Sequence, residues 1–213
     1  MRTTITLHTE FARVIACTRC STNTDRKLLR DSGENVPQPG YVGANYARSR
    51  VLLVGQNPSS SKVLEAEDRP YTAALRSLRD RPSLEEYTKL STVLDSFIPQ
   101  WPVHGNYFPL AECGLVLNDI AYFNLVRCRT AGNTGPGPTV VSNCTSEHFS
   151  RWLVFLSPCV VIFIGKWASD RGAKSVAALK IPHAYMNRQR SLSSVERAEN
   201  RAAVVALVKS NHA

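Results

Sequence analysis

Two short segments of the chain are apolar at every position: Val51, Leu52, Leu53 and Val54, followed at once by Gly55, and Cys159 to Ile164 ("CVVIFI"), followed by Gly165. A strand points successive side chains to opposite faces of its sheet, so a strand with no polar alternation has to be covered on both sides. Strands of that kind belong to parallel sheets with helices on each face. Further β-branched stretches at 115–118 ("LVLN"), running toward 122–126 ("YFNLV"), and at 178–182 ("ALKIP") bring the expected strands to four. Helical periodicities lie between them. Phe149, Trp152, Leu153 and Leu156 recur at i, i+3, i+4 and i+7 after Thr145 and Ser146, Pro158 closes that segment, and similar stripes run over 72–79, 84–97 and 193–208. The alternation predicts an α/β sandwich, and 213 residues suit a single domain, 1–213, with a full core.

The longest apolar run, 159–165, is far shorter than the ~20 residues a helix needs to cross a bilayer. Arg2, His8, Glu10 and Arg13 break up the apolar stretch that a signal peptide requires. These features predict a cytoplasmic protein without membrane contact. In a reducing compartment six cysteines serve as metal ligands, catalytic groups or buried thiols rather than as disulfides. Lysine and arginine exceed aspartate and glutamate by 26 to 17, a formal charge of +9, which suits a polyanionic partner, nucleic acid first, or a solvated basic surface with no partner.

Cys17 and Cys20 form a C-x-x-C pair, and Cys128 and Cys144 stand sixteen positions apart around the irregular loop 129–143. Four thiolates suit tetrahedral zinc or an iron-sulfur cluster, and spacing alone does not choose between them. Cys159, inside an apolar strand, reads as a small core residue, and Cys113 as a loop or core thiol. Open parallel sheets bind ligands beyond the carboxyl ends of their strands, which is where Gly55, Gln56, Asn57, Pro58 and the serines 59–61 follow Val54.

Taken in order, these elements resemble the uracil-DNA glycosylase superfamily, most closely its iron-sulfur branch, family 4, over residues 14–190. The C-x-x-C pair comes first, then a glycine-containing loop with Gly40 and Gly43. "VLLVGQNPS" stands for the first motif, "DRPYTAAL" for the R-P-F segment and "NLVRCR" for the N-[IV]-V-K-C-R strand. The sixteen-position step to the last cysteine follows, and "HAY" at 183–185 stands for the second motif, H-P-S. The resemblance implies a three-layer α/β/α sandwich around a central four-stranded parallel sheet, with a cluster lobe formed by 14–30 and 128–144. Cys17, Cys20, Cys128 and Cys144 then look like ligands of a structural [4Fe-4S] cluster, with zinc as the lesser alternative.

What the family does is hydrolyse the N-glycosidic bond of a uracil swung out of DNA, leaving an abasic site. By the resemblance Tyr71 supplies the ring on which the base stacks, a contact worth ~1–3 kcal/mol, although an aromatic at a helix start is also an ordinary core residue. Asn124 reads the base edge with one donor and one acceptor, and Gln56 belongs with it in substrate binding. Asn57 matches the asparagine that holds the attacking water in the mismatch-specific branch, where the motif is G-I-N-P-G. An amide is a poor base, but a cation-like sugar needs its water placed more than deprotonated. His183 would donate to the pyrimidine O2 as negative charge grows there. Ser59 and Ser60 suit phosphate contact, Tyr185 or Met186 a wedge for the vacated stack, and Arg188 and Arg190 further phosphates.

"GQNPS" departs from each branch by joining the family 1 glutamine to the mismatch-type N-P, and Ser59 leaves open the direction that a tyrosine closes to 5-methyl groups in family 1. The run 80–112 is longer than its family 4 counterpart. The resemblance implies uracil as the expected base, and these departures place modified cytosine or thymine, including bulky C5-modified bases of the phage type, next to it, with a role in repair or in defence against modified DNA. A catalytically silent sensor of DNA or modified bases on the same fold is the alternative, and a redox iron-sulfur protein a third. Extrusion of one nucleotide requires no second subunit, so a monomer bound to DNA near the nucleoid is expected.

Overall fold

The computed structural model describes residues 6–20, 27–29, 35–59, 68–97, 108–187 and 192–212. In chain order the elements are helix α1 (Leu7–Ile15), strands β1 (Leu28–Leu29) and β2 (Tyr41–Val42), helix α2 (Tyr46–Ser49), strand β3 (Val51–Gly55), helices α3 (Arg69–Asp80) and α4 (Leu84–Phe97), strands β4 (Ile120–Asn124) and β5 (Arg129–Thr130), helices α5 (Pro138–Cys144) and α6 (Ser150–Leu156), strand β6 (Val160–Ile164), helix α7 (Lys166–Ala178), strand β7 (His183–Met186) and helix α8 (Ser194–Asn211). No described helix is long and apolar enough to cross a membrane. The chain divides into two compact units, one of residues 1–39, 57–99 and 126–144, the other of 40–56, 100–125 and 145–213.

The second unit holds the sheet, in the order β2-β4-β3-β6-β7. β4, β3, β6 and β7 run parallel, and β2 adds an antiparallel edge, Tyr41 facing Tyr122 and Val42 facing Ala121. The α/β class expected from the sequence holds, with a five-stranded mixed sheet in place of the four-stranded parallel one. β2 is two residues long and carries no alternation from which it could be read. Both continuous apolar segments are strands, and every residue of β3 and β6 is buried.

Helices cover both faces within this unit. On one, Val51, Leu53, Ile120, Val160, Ile162 and Met186 form a core with Val204 and Val208 of α8. On the other, Phe123 meets the rings of Phe149 and Trp152 edge-on at 5.9 and 5.6 Å. "ALKIP" is not a strand: α7 runs to Ala178, Lys180 turns the chain in the left-handed region at φ 57°, and the strand begins at His183. α7 escapes a reading by periodicity because Gly172 interrupts it, and that glycine is where the helix meets the sheet: a Cβ there would stand 2.5 Å from Phe163 Cε1.

In the first unit α3 packs against both α1 and α4, and Phe11 meets Tyr87 edge-on at 5.3 Å. β1 pairs antiparallel with β5, placing Leu28 opposite Thr130 and Leu29 opposite Arg129. Both stretches expected to form a cysteine lobe, 14–30 and 128–144, belong to this unit.

Gly40 leads into β2 with φ +102°, and a Cβ on it would lie 2.4 Å from the Tyr122 carbonyl oxygen and 2.6 Å from Phe123 Cβ. Neither the backbone conformation nor the space admits a side chain. Gly40→Ala is expected to lower the unfolding free energy by about 2–4 kcal/mol, read as a reduced urea midpoint at unchanged m-value.

Candidate functional site

The parallel register fixes what stands at the carboxyl end of the sheet. Gly55, the last residue of β3, lies opposite Asn124, the last of β4. Asn124 is half-buried, and its Oδ1 accepts a hydrogen bond from the Tyr122 hydroxyl at 3.1 Å. Residues two apart in a strand share a face, which is why the pair can meet. The space it occupies is the space above Gly55: a Cβ there would fall 2.3 Å from Asn124 Oδ1 and 2.7 Å from Tyr122 Oη. The glycine that ends β3 is therefore the seat of this polar pair. Gln56, the next residue, is also half-buried.

In the other unit, Asn57 Nδ2 donates to the Pro58 carbonyl and to Thr130 Oγ1, both at 3.2 Å. Thr130 Oγ1 gives its own proton to the Thr134 carbonyl, so it can only accept from Asn57. The amide nitrogen is thus tethered and Oδ1 is the acceptor left to receive a hydrogen bond from a small molecule.

Arg129 sits one position before Thr130, its side chain 4% exposed. Its Nε donates to the Ser59 carbonyl at 2.7 Å, its Nη2 bonds the Asp68 carboxylate, and its Nη1 is buried with no hydrogen-bond partner among the described residues. Asp68 is the N-cap residue of α3, the helix that carries Tyr71 in its first turn. One guanidinium therefore ties both ends of the 60–67 stretch and sets the start of α3. Tyr71 itself is 1% exposed, and burial, reinforced by Asp68, raises the pKa of its phenol.

All four cysteines of the expected ligand set belong to this same unit, and none of the six cysteines forms a disulfide. Burial pushes the Cys144 thiol up to about 11, the Arg127 backbone amide bonding its sulfur opposes this, and Cys20 and Cys17 are near enough to raise it further. Cys20 Sγ accepts from Asn143 Nδ2 at 3.3 Å. The Arg127 guanidinium is fully buried, which lowers its pKa to about 9, and it donates to the Pro39 carbonyl at 2.7 Å. Among the described residues no three Cys, His, Asp or Glu side chains stand close enough together to hold a metal ion. The unit thus holds four thiols, N–H donors to two of the sulfurs and a buried guanidinium, without drawing three of the sulfurs close enough together to bind a metal ion.

Other expected residues are not brought to the sheet end. Register pairs His183 with Val161 at the start of β7, three positions before the strand's end at Met186, or about 10 Å at the usual rise per residue. Its Nδ1 lies 3.1 Å from the Ile181 carbonyl, and its ring stands edge-on to Phe163. Met186 is a core residue, 7% exposed and packed with the α8 side of the sheet, so it is not available as a wedge. Tyr185 is half-buried and Ser59 exposed. Ser60, Arg188 and Arg190 lie outside the described residues. Tyr122, Arg129 and Thr130 were not singled out by sequence; for Tyr122 the two-residue strand period from Asn124 was the available signal.

Breaking a buried ion pair by removing one partner leaves the other charge uncompensated. Arg129→Ala is accordingly expected to lower the unfolding free energy by about 3–5 kcal/mol in urea titration, and Arg129→Lys by less, since lysine keeps the charge and loses the fork. Compared with known proteins, the chain matches no protein-family model and no curated protein sequence.

Proposed function

We propose that the protein is a monofunctional DNA glycosylase of the uracil-DNA glycosylase type, a three-layer α/β/α fold that hydrolyses the N-glycosidic bond of a flipped-out uracil or modified pyrimidine. The observation that carries this is Asn124: a half-buried carboxamide, held by a phenol, at the carboxyl end of a parallel sheet, where α/β folds receive ligands. A carboxamide there offers the donor and acceptor that a base edge needs.

Asn57 is the group for water. With Nδ2 tethered by Thr130 and Pro58, its Oδ1 accepts a hydrogen bond from a water molecule and aims that water's oxygen lone pair at the sugar C1′. As the bond from C1′ to the base nitrogen breaks, its electron pair leaves with the base, the water oxygen bonds to C1′, and the surplus water proton passes to solvent. Tyr71 would form the stacking wall; since its ring is buried in the base-free protein, neighbouring side chains must part to admit a base. His183 has no part in this scheme, because its strand position holds it away from Asn124. DNA is the substrate, in keeping with the +9 charge, with Ser59 and the segment beginning at Arg188 as phosphate contacts and a monomer as the working form. Cys17, Cys20, Cys128 and Cys144 would hold a [4Fe-4S] cluster, and their part would be structural, tying together two stretches of one unit that are distant in sequence.

Two experiments test these assignments. Oligonucleotides bearing uracil or a 5-substituted or glycosylated pyrimidine, incubated with the protein and treated with alkali, should break at the modified position. Asn57→Ala should slow single-turnover cleavage by about 100-fold or more with DNA affinity nearly unchanged. Unchanged turnover in the variant would remove Asn57 from the mechanism, and no cleavage of any substrate by the parent protein would favour a silent base sensor. For the cysteines, anaerobically purified protein should contain iron and acid-labile sulfide, and Cys20→Ser or Cys144→Ser should lose both and melt at lower temperature. Equal metal content in parent and variants would overturn the cluster assignment.

A further inference from the structure

Helix α7 leaves the same end of the sheet at which Asn124 stands. Val54 lies opposite both Phe123 of β4 and Phe163 of β6, so one step on Gly55, Asn124 and Ile164 share a level. Gly165, whose amide donates to the Met186 carbonyl at 2.9 Å, then turns the chain into the helix. Ala168, Gly172 and Val176 form the buried side of α7. Trp167, Arg171 and Lys174 recur at i, i+4 and i+7 on another side, the tryptophan half-buried and the two cations exposed.

The charges along this helix are not equivalent. Lys166 is matched by Asp170, whose two carboxylate oxygens accept from its Nζ at 2.7 and 2.8 Å. Arg171 and Lys174 have no carboxylate partner among the described residues. The Arg171 guanidinium lies over the Trp167 ring, 4.2 Å from its centroid, and its Nη1 donates to the Trp167 carbonyl at 3.2 Å. Stacking holds the plane of a side chain that would otherwise roam and leaves Nε and Nη2 as donors at its edge. A guanidinium held in this way loses little further freedom when it meets phosphate oxygens.

We infer that Trp167, Arg171 and Lys174 of α7 form a DNA-contact surface that takes neighbouring phosphates of one strand beside the carboxyl end of the sheet. The inference rests on the reading of DNA as the substrate, and it adds a surface that is indifferent to the base removed. Residues three apart on a helix have Cβ atoms about 5–6 Å from each other, so Arg171 and Lys174 serve adjacent phosphates. Such contacts carry no sequence information and act through charge and the release of counterions.

The test is the salt dependence of binding, read by fluorescence anisotropy of an unmodified labelled duplex titrated with the full chain. The parent is compared with Arg171→Gln, Lys174→Gln and Arg48→Gln. Arg48 is exposed on α2, which precedes β3, so that variant loses the same charge at the opposite end of the strand. Each α7 variant is expected to bind about fivefold more weakly at physiological salt and to lower the slope of log affinity against log salt by about 1. Arg48→Gln should change neither, and Arg171→Lys, which keeps the charge, should keep the parent slope. An inactive fraction shifts the apparent affinity equally at every salt concentration, so the slope reports contacts and not folding. Unchanged slopes in both α7 variants, or an equal fall in Arg48→Gln, overturn the inference while leaving the glycosylase reading to stand on base release. A parent protein that binds no DNA removes both.

Discussion

Burial of β3 on both faces is the constraint from which the rest of this molecule follows. Val51, Leu52, Leu53 and Val54 are wholly removed from water, so the strand has to lie inside a sheet with cover above and below. Its neighbours β4 and β6 then pair with it in parallel, and register brings Gly55 opposite Asn124. The absence of a side chain on Gly55 turns a strand end into a seat for a polar pair. A single backbone position thus links the apolar core to the candidate chemistry.

The other unit is organised around polar rather than apolar burial. Arg127 and Arg129, two residues apart in the strand region after Asn124, are both sequestered, and they serve different ends. Arg127 bonds the Pro39 carbonyl and stands among cysteine sulfurs, while Arg129 binds Ser59 and Asp68 at the two ends of one stretch of chain. Arg127 joins the segment after Asn124 to the one that ends at Pro39, and Arg129 joins it to Ser59 and Asp68, so each marks a point where separate segments of this unit meet. The tether from Asn57 to Thr130 lies beside the second of these points in the sequence and benefits from the same fixed backbone.

How much of this was legible in the sequence differs from residue to residue. Two apolar segments announced buried parallel strands, because pleating leaves no alternative for them. The cysteine spacing led to four thiols that do belong to one unit. Asn124 could be picked out from "NLVRCR", but Tyr122 could not, because its role is a hydrogen bond to a neighbour and tyrosine in a strand is an ordinary residue. His183 stands at the start of its strand and not at its end, for a related reason: motif order along the chain says nothing of how far along its strand a residue sits, and register decides that. Met186 likewise looked available in one dimension and is core in three. β2 and α7 went unread because one is too short for periodicity and the other carries Gly172 where contact with Phe163 demands it.

The most direct measurement of the central claim is a mass balance on the products. After incubation with an oligonucleotide carrying one uracil, mass spectrometry of the whole mixture should find free base and an abasic strand with an intact backbone in equal amounts, increasing together with time. Free nucleoside or nucleotide, shortened strands before any alkali treatment, or an unaltered oligonucleotide throughout, each across the 5-substituted pyrimidines as well, would contradict the account.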